Sequence, residues 1–97
     1  MYSVKNKIIL KNKWSLVTGA TGFLGAKIVH SLAELGSNII ILDLSYTKCN
    51  NLKKIIKNKY KDKIISYVCD LESESERKNF FKFLNLKINK LEIFINN

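Results

Sequence analysis

Residues 14–25, WSLVTGATGFLG, are the stretch that leaves this chain the fewest ways to fold. Trp14 to Thr18 reads as a short buried strand, glycines follow at 19, 22 and 25, and an amphipathic run from about Phe23 to Leu35 begins at once. A glycine pattern means little alone, but between a strand and a helix it becomes a phosphate-binding loop. Gly19 lets the chain turn sharply off the strand, Gly22 lets backbone N–H groups approach a pyrophosphate, and Gly25 lets the helix pack closely on the sheet. The pyrophosphate then sits at the helix N-terminus, where unpaired N–H groups and the helix dipole favour negative charge. The stretch predicts a dinucleotide site.

The rest of the chain supplies a sheet for that loop. The first helix puts Leu24, Ile28, Leu32 and Leu35 on one face, flanked by Val29 and Ala33, with Lys27, His30, Ser31 and Glu34 outside. Gly36 suits the position that stops it. His30, the only histidine, has no partner nearby in sequence and reads as solvated, with no catalytic role. Asn38 to Leu42 is a continuous apolar strand, as in a parallel sheet covered on both faces, and it ends in Asp43.

Residues 44–50 are polar and read as a loop. Leu52, Ile55, Ile56 and Tyr60 then recur at helical spacing. A third strand, Ile64 to Cys69, ends in Asp70, and Ser73 with Glu76 fits a capping box opening a third helix. Phe80, Phe81 and Leu84, with Phe83 alongside, are its expected core face, and Leu91 to Ile95 is a fourth strand. The order β-α-β-α-β-α-β predicts a single α/β domain over 1–97. Its fold would be an incomplete Rossmann-type, doubly wound parallel sheet with right-handed crossovers and strand order 3-2-1-4.

The formal charge of +9 could suit a nucleic-acid partner, but all but one of the 17 basic residues are lysine, scattered among asparagines and isoleucines. A nucleic-acid reader more often shows clustered arginine and aromatic platforms, so a solvated lysine surface is the expectation. No run is long enough to span a membrane. Residues 1–13 form a polar lead-in whose apolar patch, Ile8, Ile9 and Leu10, is too short for a signal peptide, and the expected location is the cytoplasm. Cys49 and Cys69 have no metal or CxxC spacing and read as reduced thiols, Cys69 half-buried at a strand end. No metal site is expected.

Asp43 lies 24 residues after Gly19, at the end of the second strand. A carboxylate there can accept both hydroxyls of an adenosine ribose and repels the extra phosphate of NADP. No arginine sits beside it and the glycine loop holds no basic residue, so NAD is the expected cofactor. The alternative is an aspartate that merely starts a turn.

Taken together, these features resemble the N-terminal, cofactor-binding part of a short-chain dehydrogenase/reductase, from about Leu10 to Asn97. TGATGFLG at 18–25 is similar to that family's glycine signature, Asp43 to its nucleotide-selecting acid, and Asp70 in CDL to an aspartate it places near the adenine ring. LEIFINN at 91–97 resembles LDILVNNAG, whose asparagines support the central strand and the cofactor. The resemblance implies cofactor-binding roles for Thr18, Gly19, Thr21, Gly22, Phe23, Leu24, Gly25, Asp43, Leu44, Asp70, Leu71 and Asn96. It also implies a small-molecule substrate and homo-oligomers among intact relatives.

Two departures qualify what the resemblance implies. The spacing TGxxGxxG is similar to the family's extended, sugar-nucleotide branch, whereas Asn96-Asn97 is similar to the short branch. The family's catalytic tyrosine with a lysine four residues on is absent: Tyr2, Tyr46, Tyr60 and Tyr67 are followed by Asn6, Asn50, Ile64 and Leu71. The expectation is the N-terminal portion of an oxidoreductase that moves hydride between a nicotinamide cofactor and a carbonyl or alcohol. The chain alone is expected to be inactive, with no catalytic residue. An extended-type epimerase or dehydratase fragment and a non-catalytic nucleotide-binding regulatory module are the alternatives.

Overall fold

A computed structural model describes residues 9–97; the first part of the lead-in, including Ile8 of its apolar patch, lies outside the described residues. Four strands, β1 (Trp14–Thr18), β2 (Asn38–Asp43), β3 (Ile64–Val68) and β4 (Ile93–Ile95), alternate with three helices. These are α1 (Phe23–Glu34), α2 (Tyr46–Lys59) and α3 (Glu74–Lys87). All neighbouring strands are parallel, in the order β3-β2-β1-β4, with Val17 opposite both Ile41 and Ile95. This is the Rossmann-like order expected from the sequence.

The apolar run of β2 is the middle of the molecule. Ile39 and Ile41 point to one face, where Val29 and Ala33 of α1 and Cys49, Leu52 and Ile56 of α2 cover them. Ile40 and Leu42 point to the other face, against Phe80 and Leu84 of α3. Because alternate side chains of a strand face opposite ways, a strand covered on both faces must be apolar throughout. Each such buried side chain contributes roughly 1.5–3 kcal/mol.

The helices differ in places from the expectations. Gly25, Val29 and Ala33 are the buried stripe of α1, with Ile28 and Leu32 half-buried beside them, while Leu24 is exposed. The helix approaches the sheet so closely at its start that only a glycine fits, and the larger residue is turned away. Gly36 ends this helix as expected: its N–H donates to Ala33 O at 3.0 Å and that of Ser37 to Leu32 O at 3.1 Å, a Schellman motif. Helix α2 starts at Tyr46 rather than beyond residue 50, because Ser45 caps it by accepting the Lys48 N–H. That placement buries Cys49 and leaves Ile55 exposed.

In α3, Ser73 accepts the Glu76 N–H, but Glu76 Oε1 reaches back to the N–H of Asp70 rather than Ser73, so the capping box is only half formed. Phe81 is exposed, and Phe83 instead packs on Tyr67, with ring centroids 4.7 Å apart. Cys69 is fully buried rather than half-buried, and burial pushes both cysteine thiols up. His30 has a partner after all: its Nδ1 lies 3.3 Å from the Tyr60 hydroxyl. Among the described residues no helix is long and apolar enough to cross a membrane, and no cluster of side chains could hold a metal ion.

Candidate nucleotide site

The carboxyl ends of β1, β2, β3 and β4 meet at one edge of the sheet, where the strand order reverses between β1 and β4. Such a switch point opens a crevice beyond the strand ends. Here it is an open cleft of about 370 Å³. Of the residues singled out from the sequence, Thr18, Gly19, Asp43, Leu44, Asp70, Leu71 and Asn96 line it. Thr21, Gly22, Phe23, Leu24 and Gly25 form the loop beyond Gly19 and the first turn of α1.

The glycine loop has the conformation its sequence suggests. Gly19 has φ +59°, a left-handed value that other residues adopt at a cost. A Cβ on Gly25 would collide with the Gly19 carbonyl oxygen and would lie 2.9 Å from Ala20 Cα, so the helix could not approach as it does. Gly22 is different. Its φ is −71°, and a Cβ there would meet nothing in the protein closer than Gly19 O at 3.5 Å. Nothing inside the fold demands a glycine at 22, so the open space faces outward.

Helix α1 begins at that space without a side-chain cap and with no acidic residue in its first turn. Its first N–H groups lack intrahelical acceptors, as at every helix start, and offer an anion site. The pyrophosphate of a dinucleotide fits this surface in charge and in the room left at Gly22.

Asp43 is fastened to the loop. Its Oδ2 accepts the Thr21 N–H at 2.9 Å and the Thr21 hydroxyl at 2.6 Å, while Oδ1 accepts the Leu44 N–H at 2.8 Å. Burial alone pushes the carboxyl up. The Thr21 hydroxyl and N–H, the Leu44 N–H and the charge of Lys48 outweigh it, so the group titrates below its ordinary value of 3.8. Asp43 is therefore a carboxylate at neutral pH.

Asp70 accepts the N–H of Glu72 at 3.0 Å, a side-chain turn that carries Glu72 into the cleft as a third acid. Among the described residues no basic side chain lines the cleft, although the chain carries a net charge of +9. Leu42, Cys69, Glu72 and Asn97 also line the cleft and were not among the residues named for cofactor binding from the sequence. Asn97 Nδ2 donates to Gly19 O at 3.1 Å, and the only advance signal was the asparagine pair itself. Sequence reasoning also missed Thr21 as the partner of Asp43, because the two are 22 residues apart.

Comparison with known proteins agrees with this fold. The family model described as short chain dehydrogenase matches residues 13–97. The 3-oxoacyl-[acyl-carrier-protein] reductase FabG of Rickettsia conorii is 36% identical over 90 residues, which are 93% of this chain and 34% of the relative. The reductase of the same name from Aquifex aeolicus is 33% identical over 91 residues, 94% of this chain and 37% of the relative. The chain thus spans about a third of the length of the curated relatives it matches.

Among solved structures, the Pseudomonas aeruginosa RhlG/NADP active-site complex is similar with a TM-score of 0.84 and 23% identity, over 95% of this chain and 36% of that one. The L-sorbose reductase of Gluconobacter frateurii, complexed with NADPH and L-sorbose, has a TM-score of 0.85 and 16% identity, over 91% of this chain and 34% of that one. At these identities the likeness is one of fold.

Proposed function

The chain belongs to the short chain dehydrogenase family, and from that membership and the cleft we propose that residues 1–97 are one nucleotide-binding domain for the adenosine and pyrophosphate part of NAD. The observation that carries the reading is Asp43: an ionised carboxylate at the switch point, hydrogen-bonded to the glycine loop itself. In this reading the backbone from Thr21 through Gly22, Phe23 and Leu24 to Gly25 meets the pyrophosphate. Asp43 and Leu44 meet the adenosine ribose, Asp70 and Leu71 lie by the adenine, and Thr18, Gly19 and Asn96 hold the strand ends around them.

NAD is preferred over NADP because a 2′-phosphate would enter a cleft whose described lining holds Asp43, Asp70 and Glu72 and no basic residue, Lys48 acting on Asp43 from outside that lining. The solved relatives named with NADP or NADPH carry that cofactor in their own chains; the NAD assignment here rests on this chain's residues.

The chemistry a nicotinamide dinucleotide supplies is hydride transfer, and in the longer proteins of the family the other reactant would be a small carbonyl or alcohol. We assign no hydride transfer to the 97-residue chain alone, since none of its tyrosines is followed four positions on by lysine. Turnover by the purified polypeptide would overturn that assignment. A cytoplasmic setting belongs to the same reading and agrees with two buried, unpaired cysteines.

The test is calorimetric titration of the purified chain with NAD and with NADP, alongside Asp43→Ala. NAD should bind, NADP at least tenfold more weakly, and the substitution should remove the difference. A folded chain that binds neither would refute the reading.

A further inference from the structure

Asp43 is already occupied. A carboxylate offers four acceptor positions, two on each oxygen. Thr21 fills both on Oδ2, through its N–H at 2.9 Å and its hydroxyl at 2.6 Å. The Leu44 N–H fills one on Oδ1 at 2.8 Å. Among the described residues nothing takes the second position on Oδ1, which is left to a ligand. A carboxylate expected to accept both hydroxyls of a ribose would have to give up a Thr21 bond to do so. The short hydroxyl-to-carboxylate bond is of the charge-assisted kind, which is about twice as strong as a neutral one. A ribose hydroxyl competing for that position would replace a bond already made, not add one.

Resting on the nucleotide reading above, we infer that Thr21 is a positioning residue that restricts Asp43 to a single hydroxyl of the adenosine ribose. The Thr21 hydroxyl and N–H hold Oδ2, which leaves Oδ1 as the oxygen with an acceptor position to spare. The second ribose hydroxyl is left to water. Thr21 acts through Asp43 and needs no contact with the nucleotide's sugar. Its role is visible in which hydroxyl counts toward affinity, a readout that general loosening of the loop would not produce.

The experiment compares NAD with its 2′-deoxyadenosine and 3′-deoxyadenosine analogues by calorimetry on the full 97-residue chain. One analogue should bind about tenfold more weakly than NAD, the size of one hydrogen bond to a charged group, and the other within about twofold of it. Thr21→Val frees the second position on Oδ2, so both analogues should then lose affinity relative to NAD. Thr21→Ser keeps the hydroxyl and should restore the one-sided pattern.

If both analogues, or neither, are weakened on the unaltered chain, the inference is overturned, and this arm stands even if Thr21→Val does not fold. The same result with NAD bound and the NAD preference still abolished by Asp43→Ala leaves the nucleotide reading intact. No NAD binding at all refutes that reading instead.

Discussion

The side-chain oxygen of Thr18 accepts the backbone N–H of Asn97 at 3.0 Å, joining the ends of β1 and β4 across 79 residues of sequence. The same hydroxyl approaches Asn96 Oδ1 at 3.2 Å and Ile95 O at 3.4 Å, and Asn97 Nδ2 reaches Gly19 O at 3.1 Å. β4 is three residues long and leaves Phe94 more than half exposed. Beyond its ladder with β1, the end of β4 is therefore tied to β1 and the glycine loop through Thr18 and Asn97.

Thr18→Val keeps the shape of that side chain and removes its hydroxyl, leaving the Asn97 N–H without its acceptor. The expected cost is about 1 kcal/mol in denaturant unfolding. Amide exchange should quicken several-fold at 96 and 97, while the amides of Ile40 and Ile41 change only in step with global stability. Unaltered protection at Asn97 would show that the threonine does not hold the strand end.

Gly25 and Gly22 should respond oppositely to the same change. Gly25→Ala places a methyl against the Gly19 carbonyl and Ala20 Cα, both backbone, with Asn97 Nδ2 at 2.9 Å. The helix must shift off the sheet, at about 1–3 kcal/mol or more. Gly22→Ala meets only Gly19 O at 3.5 Å, so stability should fall by no more than about 1 kcal/mol, the usual preference for glycine over alanine at a helix N-cap. Its effect should appear in NAD affinity instead, as a loss of tenfold or more. Denaturation and calorimetry on the two variants separate the roles, and a Gly22→Ala chain that binds NAD normally would remove Gly22 from the site.

The strands and their order were legible in the sequence because a strand buried on both faces reads as a near-continuous apolar run, and Ile39 to Leu42 is one. The glycine loop was legible because a left-handed turn at Gly19 and a close approach at Gly25 exclude other residues. What periodicity misassigned has a common cause. It weighs side chains by size, whereas packing in this fold depends on distance from the sheet. Leu24 was placed in the core and is exposed, because the first turn of α1 lies too close to Gly19 and Ala20 of the glycine loop for anything but Gly25. Ile55 and Phe81, placed inside by helical spacing, also lie outside. The start of α2 was hidden by its polar residues, although Ser45 was an available cap. The links His30 to Tyr60 and Thr21 to Asp43 join different elements, and no local pattern encodes them.

Asp43 should make the fold sensitive to acid. Its carboxyl titrates below its ordinary 3.8 in the folded chain, so the stability it contributes is present above that value and is lost as pH falls through the folded pKa. Asp43→Asn should therefore be less stable than the unaltered chain at pH 7, by on the order of 1 kcal/mol, as the bonds from Thr21 and Leu44 lose a charged acceptor. The gap should close at acidic pH, below the folded pKa. A difference that persists unchanged at low pH would trace it to shape rather than charge.

Asp62, before β3, should act with the opposite sign. Its Oδ2 is buried with no hydrogen-bond partner among the described residues, and burial raises its carboxyl above the ordinary 3.8. A group whose folded pKa is raised contributes its stability below the unfolded value and loses it as pH rises through the folded one. At neutral pH the ionised Asp62 therefore weakens the fold. Asp62→Asn removes the charge while keeping the shape, and should raise the Tm at pH 7. The gain should shrink below pH 3.8, where Asp62 is protonated in both states. Thermal unfolding of the two chains at pH 7 and pH 3 decides it: an equal gain at both would mean that the missing partner, not the charge, is what Asp62 costs the fold.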